Sequence, residues 1–337
     1  MIDVLVGGGG PAGLAAAIHA ALAGLETVVV EPRTAPVDKA CGEGVMPGGV
    51  AALRALGVEV TGRELRGIRY LDGAARAEAT FRGPGGLGIR RTVLHSALHR
   101  RALALGVRMV PGKVGEVHQS AETVTAAGLT ARWLIAADGL HSPVRRRLGL
   151  ELPGRPHGRY GLRRHYRAEP WTDFVEVHWS RHGEAYVTPV GDDLVGVAVL
   201  SHGRRGFDDH LAGFPALTAS LRGPAATEVR GAGPFLQRVR SRVAGRVLLV
   251  GDAAGYLDAV TGEGIALALA SAGAAVHCLA AGRPAAYERA WLRLTRRHRL
   301  LTGALLATSR RPGTARLVVP AASRMPLLFS AAVHALQ

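Results

Sequence analysis

The sequence predicts an α/β fold: a Rossmann-like domain carrying a β-meander, with an inserted antiparallel sheet and a helical C-terminus. Three observations lead there. The chain opens as strand, glycine turn, helix and strand; two later apolar runs each end in an acid beside glycine; and a stretch rich in Tyr, Trp, Val and His lies between those two runs.

Ile2 to Val6 reads as the first strand, Pro11 to Ala23 as a helix and Thr27 to Val30 as the second strand, the order a βαβ unit requires. Pro11 at the first helical turn and Gly24 after the last mark the helix ends. Gly67 to Arg90 reads as short strands with turns, and Arg91 to Leu105 as a helix with Leu94, Leu98, Ala102 and Leu105 along one side. From Val107 to Ala137, extended runs broken by Gly112, Gly115, Ser120 to Glu122 and Gly128 form a meander ending in the strand Trp133 to Ala137. His165 to Arg167, Phe174 to Trp179, Ala185 to Pro189 and Leu194 to Leu200 read as strands of a separate antiparallel sheet. A basic linker, Arg238 to Arg242, then leads into the buried strand Arg246 to Val250, a glycine-punctuated turn and a long helix from about Gly264 to Ala281. The expected division is a discontinuous nucleotide-binding domain over 1–66, 88–155 and 240–283, a substrate-binding sheet domain over 67–87 and 156–239, and C-terminal helices over 284–337.

Gly8-x-Gly10-Pro11-Ala12-Gly13 follows a strand and opens a helix, so its glycines can supply a tight turn, close approach to a pyrophosphate and close helix–strand contact. The helix start then presents free N–H groups to phosphate. Glu31, at the end of the second strand, is placed to accept from a ribose hydroxyl. The runs Trp133 to Asp138-Gly139 and Arg246 to Gly251-Asp252-Ala253-Ala254-Gly255 each put an acid at the end of a strand. Such an acid can bind a sugar hydroxyl or close the turn as a cap, and singly the cap is the stronger reading.

Together these three motifs resemble the fingerprints of the FAD-binding fold shared by p-hydroxybenzoate-hydroxylase-like monooxygenases, flavin halogenases and geranylgeranyl reductases, in family order over most of residues 1 to 283. The resemblance implies that Glu31 binds the adenosine ribose with Arg33 beside it, that Asp138-Gly139 lies near the pyrophosphate, that Asp252 after Gly251 holds a ribityl hydroxyl, and that Val114 contacts the cofactor. Thr261-Gly262-Glu263-Gly264-Ile265 looks like the turn whose amides face the flavin pyrimidine edge, and Arg91-x-x-Leu94-His95 resembles the arginine-led helix at the cofactor. A solvated helix-start charge is the other reading of Arg91. Lys39-Ala40-Cys41-Gly42-Glu43-Gly44 resembles the loop that crosses the flavin in the geranylgeranyl-reductase branch and in actinobacterial tailoring hydroxylases, which places Cys41 near the ring system. Gly255 and Ala259 stand where the hydroxylases commonly carry histidine and proline, which shifts weight toward the reductases. Halogenases need a lysine between Lys39 and Lys113 and a Trp-x-Trp-x-x-Pro signature, and this chain has neither.

Composition bounds the remaining classes. The chain is 337 residues long and 48% hydrophobic, ample for a large core and incompatible with disorder. Its net charge is +16, almost all from arginine, yet those arginines are spread along the chain and no nucleic-acid motif accompanies them. With so much Ala and Gly, a GC-rich coding bias explains the arginine as readily as an anionic partner. Cys41 and Cys278 cannot build a disulfide framework, no His/Cys cluster has zinc spacing, and a reducing cytoplasm fits the chain best. Ile2 to Val6 leaves no room for a leader, and the uncharged run Ile265 to Gly282 is too rich in Ala and Gly for a membrane span. Arg293, Arg296, Arg297, Arg299, Arg310 and Arg311 alternate with leucines; this pattern could rest on anionic lipid, or be a solvated helix packed on the core.

The expected function is an FAD-dependent, NAD(P)H-using monooxygenase that activates O₂ as a flavin C4a-hydroperoxide and hydroxylates an aromatic or lipophilic secondary metabolite. The alternative is a geranylgeranyl-reductase-like flavoprotein that saturates isolated alkenes. By the period of two, Phe174, Glu176 and His178 share one strand face and Val175, Val177 and Trp179 the other; Glu176 or His178 is the candidate base for a phenol, and satisfied structural side chains are the other reading of both. Tyr186, Thr188 and Pro189 are similar to the segment that reaches the flavin in relatives.

Overall fold

The computed structural model describes residues 1–153, 158–181, 183–309 and 312–336. Its first layer is a parallel sheet in the order Val247–Leu249, Leu129–Ala136, Ile2–Gly7, Thr27–Glu31, Arg108–Pro111. Ile2–Gly7 runs through the centre and is covered on both faces, so from Val4 to Gly7 it reads as a continuous apolar stretch rather than an alternating one. Val117–Gln119 and Val124–Ala126 fold back on Leu129–Ala136 as the meander. The helix Pro11–Leu22 packs against Gly264–Ala280 and Arg91–Ala104, and all of the carboxyl ends of the parallel strands open toward one edge.

The second layer is a seven-stranded sheet ordered Arg230–Ala232, Tyr160–Arg167, Leu194–Ser201, Gly183–Pro189, Phe174–Ser180, Gly67–Asp72, Ala75–Thr80. It departs from the wholly antiparallel expectation at one seam: Phe174–Ser180 runs parallel to Gly67–Asp72, because the two strands come from segments separated by a long excursion through the first layer. Register fixes the faces. Val177 lies opposite Tyr186 and Tyr186 opposite Ala198; Trp179 lies opposite Glu184 and Glu184 opposite Leu200. This inner face packs on Met46, Leu140, Tyr256 and Ala259 of the first layer. The outer face, with Ala185, Val187, Val197 and Val199, is covered by Phe207, Leu211 and Leu217 of two short helices, Phe207–Leu211 and Pro215–Ser220.

The last two helices are part of this second layer, whereas the long helix before them packs on the first. Val318–Arg324 and Pro326–His334 lie on Ala75–Thr80, the Phe329 ring is 4.8 Å from that of Tyr70, and His334 bonds the Thr80 carbonyl at 2.9 Å. The long helix Ala286–Ser309 turns Tyr287, Trp291, Thr295, His298, Thr302 and Leu306 inward, a stripe at helical spacing, while Arg293, Arg296, Arg297 and Arg299 face outward. Arg310 and Arg311 lie outside the described residues. No described helix is long and apolar enough to cross a membrane.

Candidate active site

The first glycine turn is built by steric necessity. Gly8 has φ +109°, and a side chain there would meet the Ala137 carbonyl oxygen at 2.5 Å; a methyl on Gly13 would fall 1.8 Å from the Gly8 carbonyl oxygen. Gly10 differs, since the nearest atom to a methyl there is an Arg91 Nη at 3.9 Å, so its bare backbone borders open space. Pro11 and Ala12 continue directly into the helix and leave its first N–H groups facing that space. Val114 packs over the end of the first strand at Gly7.

Glu31 ends the second strand. One oxygen accepts the Gly9 N–H at 2.7 Å and the Arg33 guanidinium grips both. Burial opposes the charge, but those hydrogen bonds bring the carboxylate below its ordinary pKa. Beside it lies a cavity of about 190 Å³ lined by Gly9, Glu31, Thr34, His95, Met109 and Pro111. His95 is buried and bonds the Gly9 carbonyl at 3.0 Å.

Further along the groove three cations converge. The Lys39 ammonium reaches Gly139, close to Arg33, Arg91, Asp252 and Glu31; burial depresses its pKa, and Arg33 and Arg91 push the same way. Arg91 is buried rather than solvated, and its Nε has no partner. Asp138 caps the short helix Pro143–Arg147 with one oxygen, at 3.0 Å from the Val144 N–H, and leaves the other buried and unpartnered. Burial raises the Asp252 carboxyl against the fields of Lys39, Arg91 and Arg145. Arg145, fully buried, holds the carbonyls of Leu140 at 2.9 Å and Ala253 at 3.2 Å and so clamps the two acid turns together. Gly251 and Gly262 both adopt left-handed φ, +59° and +70°, and Gly264 and Ile265 open the helix Gly264–Ala280.

The loop from Lys39 to Pro47 runs between this groove and the inner sheet face. Thr188 Oγ1 donates to the Gly42 carbonyl at 2.8 Å, and Met46 lies against Gly262. Burial pushes the Cys41 thiol up, so it is held protonated beside Arg91 and Arg163.

The sheet residues separate by face. Tyr186 is on the inner face, its hydroxyl donating to the Val260 carbonyl at 2.8 Å. Glu176 and His178 are on the outer face, where Glu176 is fixed by Arg69 at 2.7 Å and the Trp171 indole at 3.1 Å, with His178 at 3.3 Å. Strand alternation from Tyr186 instead turns Glu184 inward. Glu184 is 2% exposed and paired with Arg159, whose Nε lies 3.6 Å from Asp258; burial raises its pKa to about 6. Lys39 and His95 enter the sequence reading only as members of the loop and helix motifs, and Arg145 and Glu184 are given no role there; Glu184 lies one residue ahead of the strand read from Ala185 to Pro189.

Residues 1–182 match the FAD binding domain family. Menaquinone reductase of Mycobacterium tuberculosis is 31% identical over 299 residues, which span 78% of this chain and 72% of that protein. The chain belongs to this FAD-binding family. By family this chain is an FAD-dependent oxidoreductase; a dialkyldecalin synthase of Streptomyces rugosporus is also 31% identical, over 78% of this chain and 61% of that protein. Digeranylgeranylglycerophospholipid reductase 1 of Methanothermobacter thermautotrophicus is 29% identical over 78% of this chain and 73% of that one. In fold, a geranylgeranyl bacteriochlorophyll reductase-like protein from Thermoplasma acidophilum superposes with a TM-score of 0.80 at 23% identity, covering 97% of this chain and 91% of that one. The groove fits the family's cofactor on its own chemistry. Three cations and an open helix start face a bare glycine backbone where a pyrophosphate needs them, and an unpartnered Asp138 oxygen and Arg91 Nε border the same space.

Proposed function

We propose that the protein reduces isolated carbon–carbon double bonds in an apolar, isoprenoid-like lipid, with FAD as resident cofactor and NAD(P)H as transient electron donor. Gly8, Gly10, Pro11, Ala12 and Gly13 with Arg33, Lys39 and Arg91 would hold the pyrophosphate, Glu31 the adenosine ribose, and Asp252 the ribityl chain. Asp138-Gly139 and Val114 would border the cofactor, and Cys41-Gly42 with Gly262, Gly264 and Ile265 would flank the ring system. Bound FAD supplies hydride chemistry. The domain division at 1–66, 88–155 and 240–283 against 67–87 and 156–239 follows from the same reading.

The observation that carries it is the character of the inner sheet face. Val175, Val177, Trp179, Tyr186, Ala198 and Leu200 make an apolar and aromatic strip that meets Met46 and Tyr256 of the cofactor layer. That strip would exclude water and align a long apolar chain. Glu184, two strand positions before Tyr186, has its pKa raised to about 6 within this surface, so that it can exchange a proton near working pH, and saturation of a double bond needs a proton as well as a hydride. The names of the relatives, reductases of quinones and of geranylgeranyl lipids, support the same substrate class.

The test is turnover of a geranylgeranyl lipid with NAD(P)H, with and without O₂, read by product mass. Gain of two hydrogens under both conditions is expected. Gain of an oxygen atom, seen only with O₂, would return the protein to the monooxygenase reading.

A further inference from the structure

Glu43 occupies a place that no cofactor contact explains. It is a non-glycine residue at φ +61°, 1% exposed, in the middle of the loop that crosses the groove. A non-glycine side chain held in that region is strained and persists only where its surroundings over-determine it. The surroundings here come from three separate elements. Its Oε1 accepts the backbone N–H of Arg91 at 2.7 Å, at the start of the helix Arg91–Ala104. Its Oε2 lies 2.5 Å from Nε2 of His165, on the sheet strand Tyr160–Arg167. Its own N–H faces Cys41 Sγ at 3.4 Å.

The other side of His165 fixes its tautomer. Nδ1 faces Arg163 Nη1 at 3.1 Å and the Thr227 hydroxyl at 2.9 Å, and the same hydroxyl accepts the His165 backbone N–H at 3.1 Å. A guanidinium can only donate, so Nδ1 must be the acceptor and the ring proton must sit on Nε2, pointing at Glu43. The pair is therefore a neutral imidazole donating to a carboxylate, whose charge is met by Arg90, at 3.8 Å, and by the Arg91 N–H. Arg163 is itself anchored by Asp38 and by the Lys39 carbonyl at 3.1 Å, and Arg230 lies 3.6 Å from Asp38.

We infer that Glu43 and His165 are positioning residues for the cofactor: through this one-directional hydrogen bond the substrate sheet locks the Lys39–Met46 segment and the start of the Arg91 helix into their cofactor-receiving arrangement. Both side chains are buried, with their polar atoms engaged by protein groups. Lys39 and Arg91, which face the pyrophosphate space, are set on either side of the lock. The inference concerns cofactor binding alone and stands whichever substrate the protein takes.

Direction of the bond gives a sharp test. In Glu43→Gln the amide carbonyl can still accept from Arg91, but the amide N–H₂ then meets the Nε2 proton, and His165 cannot switch tautomer because Arg163 donates to Nδ1. Replacing Arg163 by Met as well frees the ring to place its proton on Nδ1, toward Thr227, and to accept from Gln at Nε2. The measurement is FAD affinity by fluorescence titration of the apoprotein, with thermal melting of each apoprotein alongside. Glu43→Gln is expected to weaken FAD binding about tenfold in the native background and no more than about twofold in the Arg163→Met background. Equal losses in both backgrounds, or no loss in either, would overturn the inference. If Glu43→Gln fails to fold, ¹⁵N resonances of the His165 ring in the unmodified holoprotein decide it, identified by their absence in His165→Asn. A proton on Nε2 at pH 7 is expected, and one on Nδ1, or on both nitrogens, would overturn the inference.

Discussion

Lys39 is one of only two lysines in the chain, and it stands near Arg33 and Arg91 with its pKa depressed by partial desolvation and by both neighbours. A cation held against two others is unfavourable until an anion arrives between them. Lys39→Met should therefore leave the apoprotein at least as stable as the native chain while weakening FAD binding about tenfold, with a shallower dependence of affinity on salt. Calorimetric titration at two ionic strengths measures both; unchanged affinity would remove Lys39 from the groove. Glu184 makes a second residue-level prediction. Its folded pKa, about 6, is above the usual 4.5 because burial penalises the charge. A raised carboxyl stabilises the fold below its unfolded pKa and loses that contribution as pH rises through the folded one. The native protein should thus lose about 2 kcal/mol relative to Glu184→Gln between pH 4.5 and pH 6.5. Denaturant melts of both proteins across that range check the sign, and parallel curves would contradict it.

At the scale of elements, the glycine turn separates folding from cofactor binding. Gly13→Ala drives a methyl into the Gly8 carbonyl and should destabilise the apoprotein itself, whereas Gly10→Ala meets nothing closer than 3.9 Å and should melt as the native chain does while binding FAD at least tenfold more weakly. Comparing apoprotein melting with FAD titration distinguishes the two. This turn, the helix behind it and the acid turns at Asp138 and Asp252 were legible in the sequence because strand, glycine and acid follow one another along the chain with fixed local geometry. Face assignments in the second sheet were not. Period two grouped Glu176 with His178 correctly, but only pairing with Gly183–Pro189, and the short helices that cover Val187 and Val197, reveal which group is turned away from the cofactor layer. The lock at Glu43 was equally silent, since its partners stand 48 and 122 residues away.

At the scale of the molecule, two sheets of different origin pack against each other through an apolar face. The parallel layer supplies a cationic groove along its strand ends, and the second sheet lays a surface of aliphatic and aromatic side chains over the loop that crosses it. The C-terminal helices close the far side, where Phe329 and Val333 seal the edge strand Ala75–Thr80. On the proposed reading, this apolar surface would receive a long apolar molecule beside the cofactor layer. The measurement that tests this most directly is a single anaerobic turnover: the FAD-loaded protein is reduced photochemically, mixed with a geranylgeranyl lipid in the absence of O₂, and followed by the visible absorbance of oxidised flavin. The account predicts that the absorbance returns, that the lipid gains two hydrogens, and that Glu184→Gln slows the return. Flavin that stays reduced until O₂ is admitted, with an oxygen atom then found in the lipid, would contradict it.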